Sequence, residues 1–378
     1  MATADQKKLL ALDGGGIMGL ISLGILKKVE GDLRAAHNDP GLKLRDFFDY
    51  FAGTSTGAII AAALAIGKSV DEVLAFYIES GEEMFDRASL FKRWRYSYDA
   101  ANLREKLQAE FTDRSIIELQ ESGVLPTEKH LLIVTRNVNT DSPWPISTNP
   151  AAMFNRKGDP QNNRLLPLWQ VVRASTAAPT FFVPEKLSLA DGKEFYFEDG
   201  GVTPYNNPAF LVYKMATLPE YACRWPVGED KMMLVSVGTG SAFRTLEDPN
   251  PRGEGLLSTA KTVPSELMRG YAVENDINCR TVGRCVHGAP LDLEIGTMMH
   301  GHDPKRPKAF LYARYDANVS QNGLDALGVG DIDASKLAMD NAAMVDELVQ
   351  IGKAASEQVD IAARFEPFMP QSAASTPQ

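Results

Sequence analysis

Ser55 lies between Gly53 and Gly57 in the spacing Gly-x-Ser-x-Gly, where a strand-like apolar run (residues 47–51) leads into a helix-like apolar run (residues 58–66). In a nucleophile elbow the serine occupies a sharp strand-to-helix turn, and the glycines let strand and helix pass closely. The helix start also directs N–H groups at developing negative charge. The stretch therefore predicts an α/β fold with a nucleophilic serine; the alternative is a glycine-rich turn with a helix-capping hydroxyl.

A second glycine-rich turn follows the first apolar run of the chain. Residues 8–12 form that run, residues 13–19 hold the glycines, and residues 20–30 place apolar side chains at helical spacing. A strand, a glycine loop and a helix start together form a cradle for an anion. We interpret the loop as an oxyanion hole in which the N–H groups of Gly15 and Gly16 face the tetrahedral oxyanion.

The same loop has a competing interpretation. Gly14, Gly16 and Gly19 match the dinucleotide-binding pattern Gly-x-Gly-x-x-Gly. That pattern also requires an acidic residue about 20 positions later, at the end of a second strand. Residues 37–41 are turn-like instead, and the next strand-like run leads to Ser55. Nucleotide binding therefore stays open as the less favoured alternative.

A serine nucleophile needs a base. The chain has five histidines: His37, His130, His287, His300 and His302. The last three fall in a loop-like region and fit the order serine, acid, histidine, but no local motif places any of them. Asp199 ends a strand-like run (residues 194–198) and precedes Gly200 and Gly201, which leave room for close approach. It is a candidate base that accepts directly from the serine, although an Asp-Gly pair alone also favours a simple turn.

Four motifs taken together resemble the patatin-like phospholipases. They are residues 13–19, 53–57, 174–182 and 199–201, in that order. The resemblance covers the N-terminal half and loses specificity beyond about residue 240. It implies a three-layer α/β/α sandwich with a mostly parallel central sheet.

The resemblance also implies the roles of individual residues. Ser55 would be the nucleophile and Asp199 the base of a serine esterase, a lipid acyl hydrolase that cleaves fatty-acyl esters of membrane glycerolipids and phospholipids through an acyl-enzyme. The oxyanion hole would consist of Gly14, Gly15 and Gly16. Further glycines would support the motifs: Gly19, Gly53, Gly57, Gly200 and Gly201.

The glycine loop departs from the family pattern at Met18, where relatives usually carry Arg or Lys. We predict that Met18→Arg alters the preference for lipid headgroups more than it alters turnover. A cation from elsewhere, such as Arg173, is a candidate substitute.

Composition limits the partners. Lys and Arg number 39 against 49 Asp and Glu, a net charge of −10 that argues against nucleic acid as a partner. The cysteines Cys223, Cys279 and Cys285 lack the spacing of a disulfide framework or a zinc site, so free, buried thiols are expected. We predict no metal, no calcium requirement and no cofactor. A basic and aromatic segment, residues 85–98, is a candidate contact with a lipid surface.

The N-terminus runs into the first strand without a leader-like apolar segment, so we expect a cytoplasmic protein that associates peripherally with membranes. Residues 1–365 are predicted to form one domain, with a motif core at 8–240 and a helical extension at 241–365. Residues 366–378 are predicted to be a flexible tail. The sequence sets no oligomeric state. A catalytically silent or signal-regulated protein of the same fold remains the main alternative to a constitutive enzyme.

Overall fold

The computed structural model describes residues 6–85, 99–179, 182–242 and 256–370. Its centre is a nine-stranded sheet with the order β5-β6-β3-β2-β1-β7-β9-β8, while β4 also pairs with β3. The strands are β1 (Lys7–Leu12), β2 (Tyr50–Thr54), β3 (His130–Asn137), β4 (Ser142–Ser147), β5 (Glu185–Ser188), β6 (Glu194–Asp199), β7 (Met232–Val237), β8 (Arg284–His287) and β9 (Leu311–Tyr315).

The middle of the sheet is parallel and one edge is antiparallel. Strand β1 lies between β2 and β7, and both pairings are parallel. The pairings β2–β3, β7–β9 and β8–β9 are parallel as well. At the antiparallel edge, both β4 and β6 pair with β3, and β5 pairs with β6. The prediction of a mostly parallel central sheet is confirmed.

Helices cover both faces of this sheet. They are α1 (Gly19–His37), α2 (Leu44–Phe47), α3 (Thr56–Ala65), α4 (Val70–Phe85), α5 (Asp99–Phe111), α6 (Ile116–Glu121), α7 (Leu168–Ser175), α8 (Ala209–Thr217), α9 (Leu256–Val282), α10 (Gln321–Ala326), α11 (Val345–Ser356) and α12 (Ile361–Arg364). Strand β1 shows the layering, because Leu10 and Leu12 enter one core with α1, α3 and α4, whereas Leu9 and Ala11 enter a second core with α8. The fold is the predicted α/β/α sandwich.

Helix α3 carries the elbow serine at its N-terminus and is buried along its whole length. A helix that is apolar all round belongs inside a protein core, and α3 packs between β2 and the neighbouring helices α4 and α7. Helix α1 packs against α11 through Gly24 and Gly352, where a Cβ on Gly24 would collide with the backbone of Gly352. The C-terminal part of the chain therefore belongs to the same core as the glycine loop.

Some element predictions were wrong. The strand predicted at residues 47–51 begins at Tyr50, because Leu44–Phe47 form the short helix α2. Strands β4, β5 and β8 were not predicted; β4 contains two prolines, which sequence patterns read as loop, and the other two are four-residue edge strands. His287 accordingly ends a strand instead of lying in a loop.

The segment predicted as a flexible tail, residues 366–378, begins with ordered structure. Glu366–Phe368 form a helical turn, and the Phe368 side chain is buried. Most of the basic and aromatic segment, residues 86–98, lies outside the described residues. The three cysteines are free, and Cys279 and Cys285 are buried, as expected. Among the described residues no helix has the length and apolar character needed to cross a membrane.

Candidate active site

Ser55 and Asp199 meet because two strands end head to head along β3. Strand β2 runs parallel to β3 and ends with Thr54 opposite Val134. Strand β6 runs antiparallel to β3 and ends with Asp199 opposite Thr135, the next residue along. The serine that follows Thr54 therefore arrives beside the aspartate. The sequence predicted that Asp199 ends a strand, but it did not predict that this strand is antiparallel to its neighbour β3.

The backbone of Ser55 is held in an unusual conformation. Its φ of 54° and ψ of −122° fall in a region that a non-glycine residue rarely occupies. Its N–H donates to Ser175 Oγ at 2.9 Å, and Ser175 Oγ donates to the Val134 carbonyl at 2.7 Å. Helix α7 thus fixes the turn through one buried hydroxyl, as a nucleophile elbow requires.

The two glycines of the elbow are required by close packing. A Cβ on Gly53 would collide with the Gly57 carbonyl group, and a Cβ on Gly57 would collide with the Leu12 carbonyl group. Strand β2, helix α3 and the end of β1 therefore approach each other more closely than any side chain permits. Both glycines therefore lie where strand and helix pass closely.

Ser55 Oγ donates a hydrogen bond to Asp199 Oδ2 at 2.6 Å. Asp199 Oδ1 accepts the Gly201 N–H at 2.7 Å, so both carboxylate oxygens have a donor. Asp199 is 5% exposed, and burial raises its pKa to about 6, while the bonds from Ser55 and Gly201 and the charge of Arg173 oppose the rise. Asp199 is thus an ionisable acceptor with a pKa suited to general base catalysis near neutral pH.

The glycine loop lies against this pair. A Cβ on Gly14 would stand 3.2 Å from Ser55 Cβ. The Gly14 N–H donates to the Asn206 carbonyl at 3.1 Å, so it is not free to bind an oxyanion, which corrects the prediction of Gly14 as a donor. The N–H groups of Gly15 and Gly16 have no hydrogen-bond partner within the described part of the chain. These two N–H groups remain the candidate oxyanion donors.

The loop glycines are also surrounded by protein atoms. Cβ atoms on Gly14, Gly15 and Gly16 would collide with Asn206, Thr239 and the Met339 carbonyl respectively. Gly16 has a φ of +58°, which glycine adopts without strain. The loop therefore packs closely enough on these neighbours that glycine is favoured at all three positions.

Several residues of this site escaped sequence reasoning. Thr239 Oγ1 donates to the Gly14 carbonyl at 3.1 Å, and Asn206 approaches the same carbonyl through its amide at 3.4 Å. Arg314 pairs with Asp13 at the start of the loop. Thr239 lies in the glycine-rich turn that follows β7. That pattern could have indicated a position at the carboxyl end of the sheet. Nothing in the sequence connects Arg314 with Asp13.

Met18 does not face the site as the headgroup prediction required. It is 7% exposed and belongs to the core, where its Cε would stand 3.3 Å from a Cβ on Gly240. An arginine at this position would bury a charge, so a pure change of headgroup preference does not follow from the geometry. Arg173 is 1% exposed, lies 4.5 Å above the Phe182 ring, and has its pKa lowered to about 10 by burial.

Four of the five histidines have partners elsewhere, and His300 is exposed. His37 contacts the Leu33 carbonyl, His130 stacks on Trp225, His287 packs on Tyr315 and His302 pairs with Glu229. Within the described residues the only hydrogen-bond partner of Ser55 Oγ is Asp199. The arrangement is a serine–aspartate pair beside a glycine loop, on an α/β/α sandwich.

A family model described as "Patatin-like phospholipase" matches residues 10–213, more than half of the chain. The chain belongs to the patatin-like phospholipase family. The matched segment contains the glycine loop, the elbow serine and Asp199, and it ends before β7.

Individual relatives are distant. Patatin-T5 from Solanum tuberosum is 29% identical over 255 residues, and Patatin-17 from Solanum cardiophyllum is 28% identical over 254 residues. Each alignment covers 63% of this chain and 61% of the relative, so the similarity spans less than two thirds of those proteins. Among solved structures, VipD from Legionella pneumophila matches 97% of this chain and 68% of its own, with 14% identity and a TM-score of 0.36.

Proposed function

We propose that the protein is a lipid acyl hydrolase in which Ser55 is the nucleophile and Asp199 the base. The observation that carries this proposal is the 2.6 Å hydrogen bond from Ser55 Oγ to a buried carboxylate. An aspartate in this position accepts the serine proton directly, so no histidine is needed. Family membership supports the choice of a lipid ester as the substrate.

The reaction begins when Ser55 Oγ attacks the ester carbonyl carbon while Asp199 Oδ2 takes the hydroxyl proton. The oxyanion is held by the N–H groups of Gly15 and Gly16, aided by the N-terminal ends of nearby helices. The tetrahedral intermediate then collapses, the ester bond breaks, and Asp199 returns the proton to the leaving alcohol. Water attacks the acyl-Ser55 ester in the second half while Asp199 accepts a proton from it. The acyl–Oγ bond then breaks, Asp199 returns the proton to Ser55 Oγ, and the fatty acid leaves.

Membrane glycerolipids, including phospholipids, are the substrate class proposed for this site. A chain of this kind would reach them by peripheral, transient contact with a membrane surface from the cytoplasm. The net charge of −10 favours zwitterionic or neutral lipid over strongly anionic surfaces.

Labelling by a fluorophosphonate probe, with turnover of a p-nitrophenyl ester alongside, tests the proposal. Wild type should label and turn over, while Ser55→Ala should lose both. Asp199→Asn should lose turnover by about 10³-fold or more because the amide cannot accept the proton. Ser22→Ala is the control, since Ser22 is a buried serine whose hydroxyl donates to the Gly238 carbonyl at 2.7 Å, away from the pair.

Labelling that persists in Ser55→Ala would place the nucleophile elsewhere. A wild type that neither labels nor turns over ester, with or without vesicles of phosphatidylcholine, would contradict a constitutive hydrolase and favour a silent or signal-regulated protein of the same fold.

A further inference from the structure

Arg314 connects the C-terminal half of the chain to the glycine loop. It lies on β9, about 100 residues beyond the family match, and is 7% exposed. Its guanidinium donates Nη1 to Asp13 Oδ1 at 2.8 Å and Nη2 to Asp13 Oδ2 at 2.6 Å. Two parallel bonds of this kind fix the orientation of a carboxylate as well as its position.

Asp13 is the residue from which the loop departs. Its N–H donates to the Val237 carbonyl at 3.1 Å, which continues the β1–β7 pairing by one step. The next residue, Gly14, packs against Ser55, and the candidate oxyanion donors Gly15 and Gly16 follow directly. The Asp13 carboxylate is therefore the side-chain anchor of the whole loop.

Arg314 also reaches the opposite side of the loop. Its Nη2 donates to Asp316 Oδ2 at 3.0 Å, and Asp316 Oδ1 accepts the Gly240 N–H at 2.8 Å. The neighbouring Thr239 hydroxyl donates to the Gly14 carbonyl. The Arg314 guanidinium thus binds Asp13 at the start of the glycine loop. Through Asp316 it also holds the turn after β7, which packs over that loop.

This network is costly to bury. Desolvation raises the pKa of Asp13 to about 6 even with Arg314 beside it. Well-packed apolar residues often replace buried ion pairs without loss of stability, so stability alone is a weak explanation for the pair. Fixed geometry is the better explanation, because an oxyanion donor displaced by a fraction of an ångström loses much of its effect.

We propose that Arg314 is a positioning residue for ester hydrolysis, which holds the Gly15 and Gly16 donors on the oxyanion through the carboxylate of Asp13. This inference rests on the proposed function. It assigns to the part of the chain beyond the family match a role in the reaction.

The test compares Arg314→Met and Arg314→Lys with Arg280→Met. Arg280 is a matched control: it is 2% exposed and makes an equally bidentate pair with Asp276, at 2.8 and 2.7 Å, without contacting the loop. For the p-nitrophenyl ester, Arg314→Met should lower kcat by about 10–100-fold while KM changes less than about threefold, and Arg314→Lys should fall between. Arg280→Met should lower Tm yet leave kcat of the folded protein within about twofold of wild type.

A double variant covers the case in which Arg314→Met fails to fold. Asp13→Asn with Arg314→Gln removes both charges together and should fold, yet kcat should stay at least about tenfold below wild type, because the shorter glutamine amide cannot replace the guanidinium bonds to both residue 13 and Asp316. A kcat equal to wild type in this variant, or an equal loss in Arg280→Met, would overturn the proposal.

Hydrogen exchange separates this proposal from the proposed function. Amides of residues 14–18 should exchange faster in the Arg314 variants than in wild type or Arg280→Met, whether or not the wild type turns over ester. Unchanged exchange in that segment would refute the positioning role even if the enzyme is active, whereas accelerated exchange in an inactive protein would refute only the hydrolase assignment.

Discussion

At the scale of single residues, the behaviour of the site depends on the protonation of Asp199. The carboxyl is buried against Gly201 and Ser55, and its pKa is raised to about 6. A base must be ionised to act. Because the pKa of Asp199 is raised, we expect activity to be lost at a pH closer to neutrality than if the base were an exposed aspartate.

We predict that kcat/KM falls about tenfold per unit as the pH drops below about 6, and is level above it, because one proton on Asp199 blocks transfer from Ser55. The measurement is a pH profile on an uncharged ester, with circular dichroism at each pH as the control for folding. A profile that stays level to pH 4.5 in folded protein would contradict Asp199 as the base.

Asp199 should also reduce stability at the pH where it works. With a folded pKa near 6 against an ordinary pKa of 3.8, the folded state binds the proton more tightly. The contribution of Asp199 to stability is therefore complete below pH 3.8 and is lost as the pH rises through 6. We predict that Asp199→Asn is inactive yet more stable than wild type by about 1–2 kcal/mol at pH 8, with a smaller difference at pH 5. Urea unfolding at the two pH values measures this. A variant less stable than wild type at both would contradict it.

At the scale of elements, the parts that could be predicted are those whose pattern is local. Helix α3 and the elbow follow from an unbroken apolar run after a Gly-x-Ser-x-Gly turn. Strands β1, β3 and β7 follow from short buried runs that end in glycine or polar residues. The edge strands β4, β5 and β8 were missed, since proline, charge and short length remove the alternation that marks a strand.

The site divides in the same way. Ser55, Asp199 and the two candidate donors Gly15 and Gly16 lie in recognisable motifs, whereas Asn206, Thr239 and Arg314 make contacts with residues far away in the chain. No periodicity or spacing reports such contacts. Gly14 was predicted to be an oxyanion donor because nothing in its motif indicates that its N–H donates to the Asn206 carbonyl.

Close packing at the elbow gives an element-scale prediction. Gly57→Ala should destabilise the protein by more than about 2 kcal/mol, since its Cβ would collide with backbone at Leu12 that cannot move without disturbing β1. Gly31→Ala is the control, because Gly31 lies in α1 with nothing near its Cβ position, and the same change there should stabilise by about 0.5–1 kcal/mol. Thermal unfolding of the two variants decides, and equal shifts in Tm would contradict the packing argument.

At the scale of the whole molecule, the family match ends inside a continuous structure. Strand β7 lies between β1 and β9, and α11 packs on α1. The residues beyond 240 also supply large buried side chains, namely Phe310, Tyr312, Tyr315, Phe365 and Phe368. The glycine loop thus depends on strands and helices that lie outside the matched segment.

We predict that a chain ending at residue 240 shows no cooperative thermal transition, because the sheet loses β9 and α1 loses its partner helix. A chain ending at residue 370 is the control and should melt within about 2 °C of the full chain. Differential scanning calorimetry of both distinguishes the cases. A sharp transition in the shorter chain would show that residues 1–240 fold without the rest of the chain.

Because β2 and β6 are separate strands that meet end to end on β3, β6 can open while β2 stays in place. A sample then contains both open and closed molecules. Strand β6, which ends at Asp199, is joined to β3 by three residue pairs, from Thr135–Asp199 to Asn137–Phe197. Edge pairs of this kind open at a lower free energy than the whole sheet unfolds. In a molecule with that edge open, the elbow persists on the parallel strands while Asp199 is displaced. Under the proposed function, such a molecule is native by most spectroscopic measures but inert toward esters. We therefore predict that specific esterase activity counts only molecules whose edge is closed, and that on heating it disappears before the sheet melts.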